Sequence, residues 1–101
     1  MKLEEIIKEM TAVEITGSTD VEVGGIRFDS RKVEAGDLYV AIRGGALDGH
    51  NFIPEAISAG AVIVVSEEEP LEAYPNITWV RSSAPREALA LLASAFYGFP
   101  S

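Results

Sequence analysis

The chain has 101 residues, 48% of them hydrophobic and 24% charged, and carries a formal net charge of −8 from sixteen acids against eight bases. That length supports one domain with its own core and leaves no room for a second, and the composition excludes disordered and fibrous classes. The acidic balance argues against an extended nucleic-acid surface, and the lack of cysteine excludes a disulfide framework, a thiolate nucleophile and a cysteine zinc site. The expected compartment is the cytoplasm.

The N-terminal MKLEEIIKEM is amphipathic and acidic, unlike a signal peptide, and no apolar run reaches membrane-spanning length. Leu3, Ile6, Ile7 and Met10 recur at helical spacing and predict a helix over residues 2–10. A short strand is expected over 13–16. Gly17-Ser18-Thr19-Asp20 then signals a turn, and Val21, Val23, Ile26 and Phe28 suggest a strand interrupted near Gly24-Gly25, giving a hairpin-like start.

Glu34-Ala35-Gly36-Asp37 reads as a second turn, followed by residues 38–42 (LYVAI), a run expected as a central strand covered on both faces. Asn51 as N-cap, Pro54 in the first turn and Gly60 as the stop predict a helix over about 52–59. Residues 61–65 (AVIVV) should form the next strand, pairing parallel to the previous one through a right-handed crossover. Residues 77–80 form a further expected strand. Ser83 as cap and Pro85 in the first turn then open a helix with Leu89, Leu92 and Phe96 on one face. The expected fold is a three-layer α/β/α domain with a mixed, mostly parallel central sheet and an N-terminal amphipathic helix. The closing Gly98-Phe99-Pro100-Ser101 has the composition of a linker start.

Four of the eight bases, Arg27, Arg31, Lys32 and Arg43, cluster in or beside the segment from residue 29 to 53. Asp29-Ser30-Arg31 follows a predicted strand end, where α/β sheets place ligand-binding loops, although an Asx turn with a solvated arginine is the commoner origin of such a tripeptide. Gly44-Gly45 allows close backbone approach to a ligand or simply turns a corner. No phosphate-binding G-x-x-x-x-G-K-[ST] and no dinucleotide G-x-G-x-x-G is present. His50, near Asp48, is the lone histidine; it has no partner for a metal site, and such a histidine at a helix start more often caps or packs than catalyses. Glu67-Glu68-Glu69 reads as a solvated loop and Trp79 as strand packing. No complete catalytic constellation and no metal site are expected.

The stretch GIRFDSRKVEAGDLYVAIRGGALDGHNFIPEAISAGAVIVV, together with the earlier EITGSTDVEV and the closing ALALLASAFYGFPS, resembles the N-terminal domain signature of Mur ligases, the ATP-dependent enzymes that extend the peptide on UDP-N-acetylmuramic acid. The closing segment is most similar to the MurE type, which acts on UDP-N-acetylmuramoyl-L-alanyl-D-glutamate. The MurF type, which adds D-Ala-D-Ala, shares the DSR and DGH motifs and is the alternative. The resemblance implies that residues 1–101 are one UDP-MurNAc-binding domain, without the central ATPase and C-terminal domains. Uridine-contacting positions would fall on Phe28, Ser30, Gly45, Ala46 and Leu47, with Phe28 as an apolar wall, Ser30 as a hydroxyl contact and the loop supplying backbone groups.

Several expectations follow from that resemblance. The partners would be UDP-MurNAc-L-Ala-D-Glu and the other ligase domains. ATP and magnesium would serve the full-length ligase but not this domain, which by itself would catalyse nothing. The resemblance leaves open whether the parent ligase adds meso-diaminopimelate or lysine, and a non-catalytic interaction module is the competing reading of a different class.

Overall fold

The computed structural model describes residues 2–7, 13–43, 48–70 and 74–98. Its frame is a five-stranded sheet built from β1 (Val13–Thr16), β2 (Ile26–Arg27), β3 (Leu38–Val40), β4 (Ile63–Ser66) and β5 (Thr78–Ser82), in the spatial order β1-β5-β4-β3-β2. β2, β3, β4 and β5 run parallel in succession, and β1 pairs antiparallel with β5. The helices are α1 (Leu3–Ile7), α2 (Ile53–Ala59) and α3 (Pro85–Tyr97), with short 3-10 turns at Ser30–Lys32 and Gly49–Phe52.

The interior strands β3 and β4, with most of β5, are buried on both faces because both faces are covered. Alternation sends Leu38, Val40, Ile63, Val65 and Val80 to one side, where they pack with Leu3 and Ile6 of α1 and with Ala88 and Leu92 of α3. The intervening Tyr39, Val64 and Trp79 point to the other side, against Ile53 and Ala56 of α2. The register stacks these sets in rows, Tyr39 opposite Val64 and Val64 opposite Trp79. The result is the expected mixed α/β/α sandwich.

The mixed character has a different origin from the hairpin expected near the N-terminus. β1 and β2 lie on opposite edges of the sheet and never pair. The segment between them is held instead by α1, through the Leu3 amide to the Val21 carbonyl at 2.8 Å and the Glu4 amide to the Thr19 carbonyl at 3.0 Å. The strand expected through Val21 and Val23 shortens to Ile26–Arg27, since Gly24 donates to the Gly36 carbonyl of the neighbouring turn rather than to a strand.

β3 is interior, but the middle of the sheet is β4. Beyond Val40 the expected strand relaxes, although the Ala41 amide still reaches the Val65 carbonyl at 2.8 Å. Both predicted side-chain caps are displaced. Asp48, not Asn51, caps the 3-10 turn that leads into α2, and α2 begins after Phe52 with no side-chain cap. α3 begins after Ala84, whose amide is taken by Ser82 Oγ rather than by Ser83. Of the N-terminal helix, the part expected over 8–10 lies outside the described residues.

Candidate functional site

β2 ends at Arg27, and the chain turns at once into the 3-10 turn whose N-cap is Asp29; the Asp29 carboxylate accepts from the Arg31 amide at 3.0 Å. This Asx geometry throws the preceding Phe28 outward, 64% exposed, while drawing Ser30 inward to 7%. The Ser30 hydroxyl, nearly enclosed, donates to Glu55 Oε2 of α2 at 3.0 Å. The Arg31 guanidinium returns to both oxygens of Asp29, at 3.1 and 2.9 Å, and its bond holds the Asp29 carboxyl down from 3.8 to about 2.

These residues form one wall of a cleft of about 470 Å³. Phe28, Asp29, Ser30 and Arg31 face Tyr39 and Ile42 from β3 and its extension, and Gly49, Phe52 and Glu55 from the approach to α2 and α2 itself. A mostly parallel sheet opens such a crevice where its strands end and the chain turns toward the covering helix. Tyr39 donates its hydroxyl to the Gly49 carbonyl at 2.8 Å. Burial, reinforced by the carboxylates of Asp29, Asp48 and Glu55, pushes its phenol up to about 12, so it stays protonated.

The loop expected to carry backbone contacts is closed at its base. Arg43 and Asp48 pair as an antiparallel bridge, the Gly49 amide donates to the Ile42 carbonyl at 2.8 Å, and Arg43 Nε meets Asp48 Oδ2 at 3.3 Å. A Cβ on Gly49 would stand 2.7 Å from the Ile42 nitrogen, so only glycine fits this crossing. Gly45, Ala46 and Leu47 lie outside the described residues.

His50 is a structural clamp at the same base. Its Nδ1 lies 2.7 Å from Asp48 Oδ1, and its Nε2 accepts the Glu67 amide at 3.2 Å, so the ring hydrogen sits on Nδ1. The His50 amide and ring together hold the Asp48 carboxyl below its usual range. With both nitrogens committed and the ring outside the cleft lining, no general-base geometry arises. Among the described residues no group of three or more histidine, aspartate or glutamate side chains is placed to hold a metal ion.

The acidic triplet is also more engaged than a solvated loop. The Glu68 carbonyl accepts the Trp79 indole N–H at 2.9 Å, and the carboxylates of Glu68 and Glu69 meet Arg43 and Arg81. Of the residues expected to contact a ligand, the structure brings Phe28 and Ser30 to one cleft. It adds Tyr39, Phe52 and Glu55, which sequence reasoning missed. The one signal for Tyr39 was a phenol inside an otherwise apolar strand; Glu55 had none, since its approach to Ser30 comes from tertiary packing.

The family model described as "Mur ligase family, catalytic domain" matches residues 22–97. The whole chain is 41% identical to the UDP-N-acetylmuramoyl-L-alanyl-D-glutamate--2,6-diaminopimelate ligase of Bacteroides fragilis, of which it covers 21%. It is 45% identical to the enzyme of the same name from Syntrophomonas wolfei, of which it covers 20%. The chain thus spans about a fifth of the length of the curated relatives it matches. In fold it superposes on a crystal structure of MurF from Acinetobacter baumannii with a TM-score of 0.77 over 93% of this chain and 20% of that one, at 24% identity. The family model over residues 22–97, identity above 40% along the whole of this chain and the shared fold converge on one assignment: the chain belongs to the Mur ligase family, as the N-terminal domain of a peptidoglycan ligase of the MurE-like kind.

Proposed function

We propose that this domain anchors the UDP moiety of UDP-MurNAc-L-Ala-D-Glu for a cytoplasmic ligase that adds the third residue of the peptidoglycan stem. The observation that carries the reading is the meeting of Phe28 and Ser30 in the cleft of about 470 Å³ beside the Asp29 turn. An exposed aromatic ring next to a half-open polar floor suits a flat base, and the bridge between Arg43 and Asp48 lies next in the chain to Ile42 and Gly49 of the lining. On this reading Gly45, Ala46 and Leu47 contribute backbone contacts. The relatives' names point to diaminopimelate as the residue added by the parent ligase. No helix among the described residues is long and apolar enough to cross a membrane, in keeping with a soluble nucleotide substrate.

ATP and magnesium belong to the full ligase. The donor set here does not fit them, because the chain contains no phosphate loop and the described carboxylates form no cation cluster. On this reading the 101 residues hold substrate and work with the other ligase domains, and the isolated domain should hydrolyse no ATP.

Titration of the 15N-labelled domain with UDP-MurNAc-L-Ala-D-Glu tests the proposal. Amide shifts are expected at residues 28–30 and 45–47. No perturbation there at millimolar ligand would refute it, and magnesium-dependent ATP turnover by the pure domain would refute its non-catalytic part.

A further inference from the structure

Gly49 lines the cleft and is held on both of its polar groups. Its amide donates to the Ile42 carbonyl at 2.8 Å, and its carbonyl accepts the Tyr39 hydroxyl at 2.8 Å. The peptide that carries this carbonyl also carries the His50 amide, which donates to Asp48 Oδ1 at 3.0 Å. The same oxygen takes the Nδ1–H of the His50 ring at 2.7 Å, and the far nitrogen of the ring, Nε2, takes the Glu67 amide at 3.2 Å. One peptide plane thus meets the cleft through Tyr39 and is tied to the loop after β4 through the ring of His50, whose side chain is 5% exposed.

We infer that His50 is a positioning residue for the cleft: with one ring proton it donates to Asp48 and accepts from Glu67 at once, with two it cannot hold Glu67, and the domain then grips its ligand less tightly. This rests on the uridine-anchoring reading above and adds to it a residue outside the lining. A neutral imidazole has one donor and one acceptor, whereas an imidazolium has two donors. A proton on Nε2 would set N–H against the Glu67 N–H, and a covered backbone donor without an acceptor costs about as much as a broken hydrogen bond.

The charged groups around the ring are Asp48 and Arg43 from the chain after β3, Glu67 and Glu68 from the loop after β4, and Arg81 of β5, which donates to the Glu67 carbonyl at 3.2 Å. The arginines can only donate, and the carboxylates of Asp48 and Glu68 are engaged by Arg43. Once Glu67 is released, the ring is tied at Asp48 alone and the peptide between Gly49 and His50 samples other orientations. The apparent affinity falls with the fraction of molecules that keep that peptide in place.

Substitution separates the two bonds. In His50→Gln the side-chain oxygen replaces Nε2 and accepts the Glu67 amide at every pH; in His50→Asn the side-chain nitrogen replaces Nδ1 toward Asp48, and the side chain ends short of Glu67. The 15N-labelled wild type and both variants would be titrated with UDP-MurNAc-L-Ala-D-Glu at about pH 8 and about pH 5.5, on either side of the ordinary histidine range. Residues 28–30 report binding and the Glu67 amide reports the clamp. Other titrating groups, those of the ligand included, are common to the wild type and His50→Gln and cancel in the comparison.

The expected result is a wild-type affinity that falls about fivefold between the two pH values as the Glu67 amide shifts, no such fall in His50→Gln, and binding about fivefold weaker in His50→Asn already at the higher pH. A ring that only stabilised the fold would leave the pH dependence of binding unchanged by the Gln substitution. A wild-type affinity that does not fall, a fall of the same size in His50→Gln, or a His50→Asn that binds like the wild type overturns the inference and leaves the anchoring reading in place. No shift at residues 28–30 in the wild type at the higher pH overturns the anchoring reading, and this inference with it.

Discussion

Asp37 shows how a single buried carboxylate can hold two strands in place. At 3% exposure it accepts from the Glu34 amide at 2.9 Å and from Arg27 Nε at 3.1 Å, closing the turn before β3 and tying it to the end of β2 beside the cleft. Removing it orphans the Glu34 amide but leaves an arginine that is 35% exposed and can recover water. Asp37→Ala should therefore cost about 2 kcal/mol, less than the loss of a fully buried pair; urea denaturation would measure it. Asp29 gives a pH signature at the same scale. Its folded pKa is depressed to about 2 from 3.8, so its contribution is complete above about pH 4 and is lost as the pH falls toward 2. Carboxyl NMR titration should place its midpoint near 2 in the wild type and return it toward 3.8 in Arg31→Ala. The Asx role of Asp29 was legible as one of two readings of DSR. The enclosure of Ser30 was not, because it depends on Glu55 arriving from a helix twenty-five residues away.

At the scale of elements, the turns are set as much by close backbone approach as by side-chain caps. Gly60, the stop of α2, has φ +120°, and a Cβ there would lie 2.5 Å from the Ala35 Cα in the turn before β3. Gly36 in that turn also has positive φ, +88°, but a Cβ would meet nothing within 4 Å. The pair separates collision from conformational strain. Gly36→Ala should cost about 1 kcal/mol and Gly60→Ala about 3 kcal/mol or more, because the second must also move the chain at Ala35. Thermal unfolding of the two variants checks the difference. This explains which elements could be read from sequence. The unbroken apolar runs of β3 and β4, and the glycine that ends α2, are local signals. The pairing of β1 with β5 and the displacement of capping from Asn51 to Asp48 depend on partners distant in sequence or on the 3-10 turn that His50 clamps to Glu67, whereas the move from Ser83 to Ser82 is local, with Ser82 Oγ taking the Ala84 amide two residues on.

At the scale of the molecule, two cores share one sheet, and the cleft belongs to the thinner of the layers around it. Leu92 anchors α3 on one face and is fully buried, whereas Trp79 lies on the opposite face at 5% exposure, its indole donating to the Glu68 carbonyl. They are joined through the strands, since Val80, the neighbour of Trp79 in β5, packs in the Leu92 cluster. A sheet apolar on both faces has no stable half, because losing either cover exposes the strands that the other needs. Unfolding should therefore be a single transition. Leu92→Ala should cost about 3 kcal/mol and lower the melting temperature by about 15 °C, while the neighbouring Leu91→Ala, at a position 44% exposed, should change it little. The decisive reading is Trp79 fluorescence, which senses the face that Leu92 does not touch. If it shifts by the same amount as the helical circular dichroism, the α3 cover and the cleft side stand or fall together. A Trp79 transition left at its wild-type temperature would show that the ligand-holding face folds without its opposite cover.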